Sequence, residues 1–523
     1  MTRASLAFAA TLAVSACASP AKVAVTPGAA VSQRTPVQQL QADLSSIFET
    51  PQFDRAFWSV LVRRADSSED LYSLNASKLM MPGSAMKLVT LAAAAELLGW
   101  DHQFETRVAS LAPIENGVLR GDLIVIGGGD PSISERSDIP GALRTLAREV
   151  RDTGITRIEG AVIGDDDLFD DNGFGDGWTL DNLAYGYAAA VSSLEYNEGS
   201  VDLVIRAGAA AGDPVGIQVR PEGGGLVIDN RLATVAETGA GRLTLQRFPG
   251  SSRVLVRGQI PAKAAPFART ASVDNPTMFF VSAFRAALIA EGIDVSGDAV
   301  DIDDFLAKPD VAAAHTFVSH RSAPLRQIAA SMMRISQNQY AETLLRSLGA
   351  MGATGAMGAT GATGAIGAMG ATGAERVRAV LRSWDVADDS YVMADGSGLS
   401  RYNYVTSDAL VRILAHMRGD PKHAAAFAAT LPVAGRDGTL SRRLAGTAAE
   451  GRVRAKTGTV DNVRAIAGYL ETANGETLIF SIIANNFTIP TSVIDAAADR
   501  ALIRLVTFSG QRERESGSEA IVH

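Results

Sequence analysis

The stretch Met81-Pro82-Gly83-Ser84-Ala85-Met86-Lys87-Leu88-Val89-Thr90 decides how the rest of the chain is read. Pro82 and Gly83 end the extended segment before them, and the apolar run Leu88 to Leu98 continues as a helix with Ser84 in its first turn. Residues three apart share a helix face, so Lys87 projects beside the Ser84 hydroxyl. A serine hydroxyl is a weak nucleophile at neutral pH. A neighbouring amine becomes its base when burial or a second cation lowers the amine's pKa. The N–H groups of a helix start also favour a developing oxyanion. This arrangement suits acyl transfer. A serine three before a lysine nevertheless arises about once or twice by chance in a chain of this length, and its ordinary meaning is a helix cap beside a solvated lysine. The other motifs decide between the two.

With 523 residues, 47% hydrophobic and 20% charged, the chain has the composition of about two to four globular domains with large cores. A net charge of −9 argues against nucleic acid as a partner, because no basic excess neutralises phosphates. Outside the N-terminus no apolar run reaches the roughly 18 residues that span a membrane. At the N-terminus, Arg3, the apolar run Ala4 to Val14 and the small residues Ser15-Ala16-Cys17-Ala18 read as an export signal. Val14-Ser15-Ala16-Cys17 resembles a bacterial lipobox. We therefore expect residues 1–17 to be signal, Cys17 to be lipidated, and the protein to be periplasmic and anchored to the outer membrane through that lipid. Cleavage after Ala16 or Ala18 is the alternative. Cys17 is the single cysteine, so disulfides, cysteine metal sites and thiol nucleophiles are excluded.

Residues 18–38 are rich in Pro, Ala, Val and Thr and read as a linker. A helix is expected over Val37–Phe48, strands over Ala56–Val62 and Asp70–Leu74, and the serine helix after them. The texture then changes. From 103 to 275 short β-like runs alternate with Gly and Asp turns, broken by one helix, Ile139 to Thr153, and read as one or two inserted small domains. Gly127-Gly128-Gly129-Asp130-Pro131 lacks the spacing and lysine of a phosphate loop and reads as a strand-to-turn connection. Helical periodicity returns over Met278–Glu291 and Pro324–Leu348. Residues 349–374 repeat Gly-Ala-x with period three, without proline, and read as a surface loop peripheral to any chemistry. Two strands, Val463–Leu470 and Thr477–Ile483, follow, joined by a turn at Asn474-Gly475, and a helix over Ser492–Phe508 closes the fold. The tail 509–523 is polar. One domain is thus expected over 39–102 and 276–508, with 103–275 inserted into it.

Three short motifs stand in order: Ser84-x-x-Lys87, Ser336-Gln337-Asn338 and Lys456-Thr457-Gly458. Order and context resemble the penicillin-recognising serine acyltransferases. The 252 residues between Ser84 and Ser336 far exceed the gap in class A β-lactamases. A long insertion there is similar to the D-alanyl-D-alanine carboxypeptidase/endopeptidase family, the class C low-molecular-weight penicillin-binding proteins (peptidase S13). Asp395-Gly396-Ser397-Gly398-Leu399-Ser400-Arg401, Leu119-Arg120-Gly121-Asp122-Leu123, Gly128-Gly129-Asp130-Pro131, Gly177-Trp178 and Leu194-Glu195-Tyr196-Asn197 look like further elements of that family, over roughly residues 38–508. The resemblance implies an α+β fold, an antiparallel sheet flanked by helices that carries a large, mostly-β insertion. It implies a serine D-Ala-D-Ala carboxypeptidase of peptidoglycan stem peptides, covalently inhibited by β-lactams and needing no cofactor or metal.

The implied roles agree with the chemistry of the residues. Ser84 attacks the carbonyl, Lys87 takes its proton, and Ser336 and Lys456 relay a proton to the leaving amine, Lys456 also holding the Lys87 pKa down by like charge. Asn338 binds the substrate amide. Lys456, Thr457, Gly458 and Thr459 suit a free terminal carboxylate, and the N–H groups of Ser84 and Thr459 form the oxyanion hole by resemblance. Arg401 and a carboxylate of the insertion, assigned to Asp165, bind the charged end of diaminopimelate. Asp461 stands where the family often has a polar amide, a departure that bears on specificity. One rival is a β-lactamase, with Glu375 as its deacylating base, although its place beside the glycine tract suits a fixed base poorly. Another is a non-catalytic wall-binding homologue, which the intact catalytic set opposes. The six histidines form no zinc-peptidase motif.

Overall fold

The structure is a computed structural model and describes residues 34–136, 141–222, 224–238, 241–354 and 372–510. The expected signal with Cys17, the linker as far as residue 33, residues 355–371 of the Gly-Ala-x tract and the tail beyond 510 lie outside the described residues.

The catalytic region is built on one antiparallel sheet. Its strands are β1 (Phe57–Arg64), β2 (Asp70–Leu74), β3 (Val453–Val460), β4 (Val463–Glu471) and β5 (Thr477–Asn485), in the spatial order β2-β1-β5-β4-β3. Alternation along a strand sends neighbours to opposite faces. Val60 and Val62 of β1 enter one core with Leu40 and Leu44 of α1 (Pro36–Phe48) and with Leu502 of the C-terminal helix Thr491–Val506. Leu61, between them, enters a second core with Leu91 of α2 (Met86–Leu98). Because both faces are covered, β1 and β5 read as nearly continuous apolar runs. Helix α2 is buried over ten successive residues, Met86 to Ala95, as expected of a helix apolar all round. A 3-10 turn, Gly83–Ala85, precedes it, so Ser84 stands on this turn at the mouth of the helix.

The chain leaves this region at Phe104 and returns at Ser322, whose N–H donates to the Phe104 carbonyl at 2.9 Å. In between, helix α3 (Ala142–Asp152) and helix α4 (Pro276–Ala290) pack Leu146 and Val150 against Phe280, Phe284 and Leu288. The five-stranded sheet beside them draws Glu105–Ser110, Leu123–Ile126 and Val162–Asp165 from before α4, and Ala299–Asp301 and His315–Arg321 from after it. The expected boundary at 275 is therefore too early: the apolar face of α4 and the two strands after it close the inserted core. A four-stranded sheet of two-residue strands and two three-stranded sheets complete the insertion, one of the latter from Val227–Val235, Arg253–Pro261 and Arg242–Gln246 in that spatial order.

Past the insertion the expected helix Pro324–Leu348 is broken in two, α5 (Leu325–Ile335) and α6 (Asn338–Thr354), at Ser336, whose φ is +62°. Helix α7 (Gly373–Ser383) runs back beside α6. A Cβ on Gly349 would lie 3.0 Å from the Gly373 nitrogen, so the Gly-Ala-x tract leaves and re-enters the fold at one place. Helix α8 (Ser407–Gly419) packs under the sheet.

Candidate active site

The site is assembled from three backbone segments in direct contact. A Cβ on Gly458 of β3 would sit 2.1 Å from the Pro82 carbonyl oxygen, and one on Gly398 would sit 1.9 Å from the Gly83 carbonyl oxygen. Only glycine lets β3 and the Asp395–Arg401 loop close on the Ser84 turn from two sides. Gly83 itself adopts φ +51°, and a Cβ there would lie 2.9 Å from the Thr459 nitrogen. Ser84 is thereby held half-buried, next to the Thr459 main chain.

Lys87 is fully buried. Its Nζ donates to Ser84 Oγ at 3.0 Å, to Asn338 Oδ1 at 2.6 Å and to the Ser397 carbonyl at 2.7 Å. Burial is the largest influence on its pKa and brings it down to about 7, against the charges of Glu342 and Asp395, which raise it. The expected depression is therefore present, but its cause is desolvation rather than the charge of Lys456. Like charge acts in the other direction, with Lys87 adding to the burial that holds Lys456 well below the ordinary amine range. Lys456, also fully buried, donates to Ser336 Oγ at 2.8 Å and to the Thr457 carbonyl at 2.9 Å. The left-handed backbone of Ser336, a conformation that L residues seldom adopt, breaks α5 from α6 at the hydroxyl that meets Lys456.

Two carboxylates that sequence reasoning missed support this arrangement. Glu342 lies four residues after Asn338 on α6 and accepts from the Gly396 N–H at 3.1 Å and the Ser397 N–H at 2.8 Å. Burial first, and then the neighbouring Asp395, push its carboxyl up to about 7. Helix α6 thus grips Lys87 twice, directly through Asn338 and indirectly through the peptide that offers it the Ser397 carbonyl. The spacing of four between Asn338 and Glu342 was the available signal. Asp395 accepts from the Gly398 N–H at 2.7 Å, the Ser400 N–H at 2.5 Å and Asn403 Nδ2 at 2.6 Å, which folds the Asp-Gly-Ser-Gly-Leu-Ser-Arg loop around it.

The insertion reaches the site through residues 176–195. Trp178 Nε1 donates to Asp395 Oδ2 at 2.9 Å, and Ser400 Oγ donates to the Asp176 carbonyl at 2.5 Å. Asn338 Nδ2 donates to the Tyr187 carbonyl at 2.8 Å. Gln339 Nε2 donates to the Ala190 carbonyl at 2.8 Å and to Glu195 Oε1 at 2.7 Å. Arg401 reaches the Asp461 carbonyl at 3.3 Å, beyond the end of β3, and Thr457 Oγ1 lies 2.8 Å from Thr439 Oγ1. Asp165 is not brought to this cleft. It is buried at the end of the strand Val162–Asp165, and the groups that set its pKa, Asp167, Lys308 and Arg107, all belong to the insertion. Burial raises its carboxyl to about 6. Two exposed acids stand on the stretch that does meet the site, Asp176, whose carbonyl accepts from Ser400, and Asp181, in the 3-10 turn Leu180–Asn182 between Trp178 and Tyr187. Glu375 is exposed and closes a capping box with Thr372 at the start of α7, as helix-capping groups do. Among the described residues, three groups of carboxylate or imidazole side chains lie close enough to share a metal ion, and none contains a residue of this cleft.

The profile of the D-Ala-D-Ala carboxypeptidase 3 (S13) family matches residues 40–505. A D-alanyl-D-alanine carboxypeptidase of Actinomadura sp. (strain R39) is 34% identical over 501 residues, which cover 94% of this chain and 88% of that protein. Among solved structures, penicillin-binding protein 4 (dacB) of Haemophilus influenzae superposes with a TM-score of 0.75 at 24% identity, covering 89% of this chain and 99% of that one. The same protein complexed with a β-lactam superposes with a TM-score of 0.68 at 24% identity, covering 88% of this chain and 97% of that one.

Proposed function

The chain belongs to the D-Ala-D-Ala carboxypeptidase 3 (S13) family and is a serine D-Ala-D-Ala carboxypeptidase, and we propose that it works through an acyl-enzyme on Ser84. The observation that carries this mechanism is the run of contacts from Ser84 Oγ to Lys87 Nζ to Asn338 Oδ1, around an amine whose pKa burial brings to about 7. At neutral pH a large fraction of Lys87 is the free base. It takes the Ser84 proton as the oxygen attacks the penultimate D-alanine carbonyl. The N–H groups of Ser84 and Thr459 hold the oxyanion. The C–N bond then breaks, and the departing D-alanine amine takes a proton delivered through Ser336 and Lys456, which are in hydrogen-bond contact. Water hydrolyses the ester and returns Ser84.

Lys456, Thr457, Gly458 and Thr459 line β3 where a terminal carboxylate would lie. Arg401 borders its far end. If the side chain of the third stem-peptide residue carries a cation, Asp181 suits it better than Asp165, because its segment is tied to Asp395 and Asn338. A β-lactam presents a similar carbonyl and carboxylate and would stall as the Ser84 ester. The exposed, helix-capping Glu375 offers no base to speed its hydrolysis, which weighs against the β-lactamase reading. The N-terminal signal and lipobox support export to the periplasm and a lipid on Cys17.

Mass spectrometry of the mature protein, incubated separately with a pentapeptide muropeptide and with penicillin, tests these points together. Loss of one D-alanine, a penicilloyl adduct on Ser84 and a diacylglyceryl Cys17 are expected. Cleavage of a cross-linked dimer would add endopeptidase activity. Ser84→Ala should remove the adduct and lower turnover by on the order of 10⁴ or more in a protein that melts as before. Undiminished labelling of that variant sinks the assignment.

A further inference from the structure

We propose that the outer face of the sheet Val227–Val235/Arg253–Pro261/Arg242–Gln246 docks the protein on an anionic phospholipid surface. Alternation divides this sheet cleanly. Ile228, Leu232, Leu243, Leu245, Val254 and Val256 face inward and join the inserted core. The opposite positions carry Arg231, Arg242, Arg253 and Arg257, all exposed. The registers place Arg231 beside Arg257, Thr244 across from Arg257, and Arg242 beside Gln259, so the four cations share one open face. Asp229 is the single carboxylate among these outward positions; it accepts from Arg231 at 3.1 Å, and that hydrogen bond, then the charges of Arg231, Arg253 and Arg257, hold its pKa below the usual range. Such a concentration of positive charge stands out in a chain of net charge −9.

Two apolar side chains stand on the rim of this face. Val227, paired in register with Arg253, is 54% exposed, and Phe248, in the turn between the strands Arg242–Gln246 and Arg253–Pro261, is 58% exposed. A flat cationic face edged by an aromatic and an aliphatic side chain matches the layering of a membrane interface. Guanidinium groups meet lipid phosphates, while apolar groups enter the acyl boundary. The negative remainder of the molecule is repelled by the same surface, which turns this face toward it.

Vesicle flotation of the chain from residue 18 onward tests the proposal, since it lacks both the apolar signal run and the lipid-attachment residue Cys17. At low salt the protein should partition at least about tenfold better into phosphatidylglycerol–phosphatidylethanolamine vesicles than into phosphatidylcholine vesicles. Molar chloride should release it. The R231Q/R242Q/R253Q/R257Q variant should fall to the phosphatidylcholine level, and Phe248→Ser should weaken binding several-fold. Carboxypeptidase activity on a soluble peptide, unchanged, reports that the variants are folded. Should the quadruple variant not fold, R231Q/R257Q and R242Q/R253Q take its place, each expected to bind several-fold more weakly. Folded variants that partition like the parent overturn the proposal, as does equal binding to phosphatidylcholine. Release by inorganic phosphate but not by chloride of equal ionic strength would mean a discrete phosphate site instead of a lipid surface. Tighter binding of duplex DNA than of vesicles would assign the face to nucleic acid.

Discussion

Lys87 and Glu342 are each buried with a pKa brought near 7, one from above and one from below, and the charge of Glu342 opposes the lowering of Lys87. Only the free amine can take the Ser84 proton. Below about pH 7 the active fraction falls tenfold per pH unit, so kcat/KM should rise with pH and level off just above neutrality, with burial drawing the limb down and Glu342 and Asp395 opposing it. Glu342→Gln removes one negative charge from beside Lys87 and one acceptor from the Ser397 peptide. The acid limb of its kcat/KM profile should move to lower pH, and kcat should fall about tenfold as the Ser397 carbonyl loses its fixed place. A profile of reduced height with an unmoved limb would mean that Glu342 only braces the loop. The same shift has a consequence for stability. The folded Lys87 pKa lies below the unfolded one, so the unfolded chain binds more protons between about pH 7 and 10.5, and this group's unfavourable contribution shrinks as pH rises through that window.

Among the elements, β3 and the turn before α2 determine whether the nucleophile meets its oxyanion donors. Gly458→Ala would place a methyl group against the Pro82 carbonyl, within a backbone contact that cannot yield like a side chain. We expect kcat/KM to fall by at least about a hundredfold, because misplacement by an ångström costs that much, while circular dichroism shows a folded protein; activity within tenfold of the parent would show that the turn adapts. The α6–α7 hairpin makes the opposite prediction. Gly349 lies against Gly373 at its base and α6 runs on only to Thr354, so a short Gly-Ser turn in place of 355–371 has little distance to span. Turnover of a soluble peptide should stay within about twofold. A larger loss would assign the Gly-Ala-x tract a part in catalysis. Each glycine here was visible in the sequence, but the contact that requires it joins residues 83, 398 and 458, and no local pattern reports that.

At the scale of the molecule, the insertion is bonded into the active site. Trp178 ties it to Asp395, and the Tyr187 carbonyl ties it to the Asn338 amide, the residue whose oxygen receives Lys87. Trp178→Phe keeps the ring and removes the donor. Its KM for the peptide should rise several-fold with kcat within about threefold, since the lost bond positions the binding loop rather than the reacting atoms; an unchanged KM would show that the insertion acts only as scaffold. Much of the fold was legible beforehand. The central strands, α1, α4 and the hairpin at Asn474-Gly475 follow from alternation, apolar runs and turn chemistry. The end of the insertion was not, because α4 reads as an apolar helix in either region and only its packing on α3 assigns it to one. Asp165 was expected at the cleft for the same reason: Asp165 and Asp181 are both acids beside a turn, and only folding buries the first and leaves the second exposed on the segment that meets the site.

By itself, the sequence singled out Ser84, Lys87, Ser336, Asn338 and Lys456, which the fold brings into contact, because each lies in a short motif whose spacing on a helix, a helix break or a strand sets which side chains share a face. The tertiary structure alone decided why the chemistry is feasible at neutral pH. Desolvation lowers the pKa of Lys87, and desolvation depends on ten buried residues of α2, on α6 and on a loop some 300 positions away closing over one amine. Burial is a property of the assembled core, and a motif of four residues does not contain it.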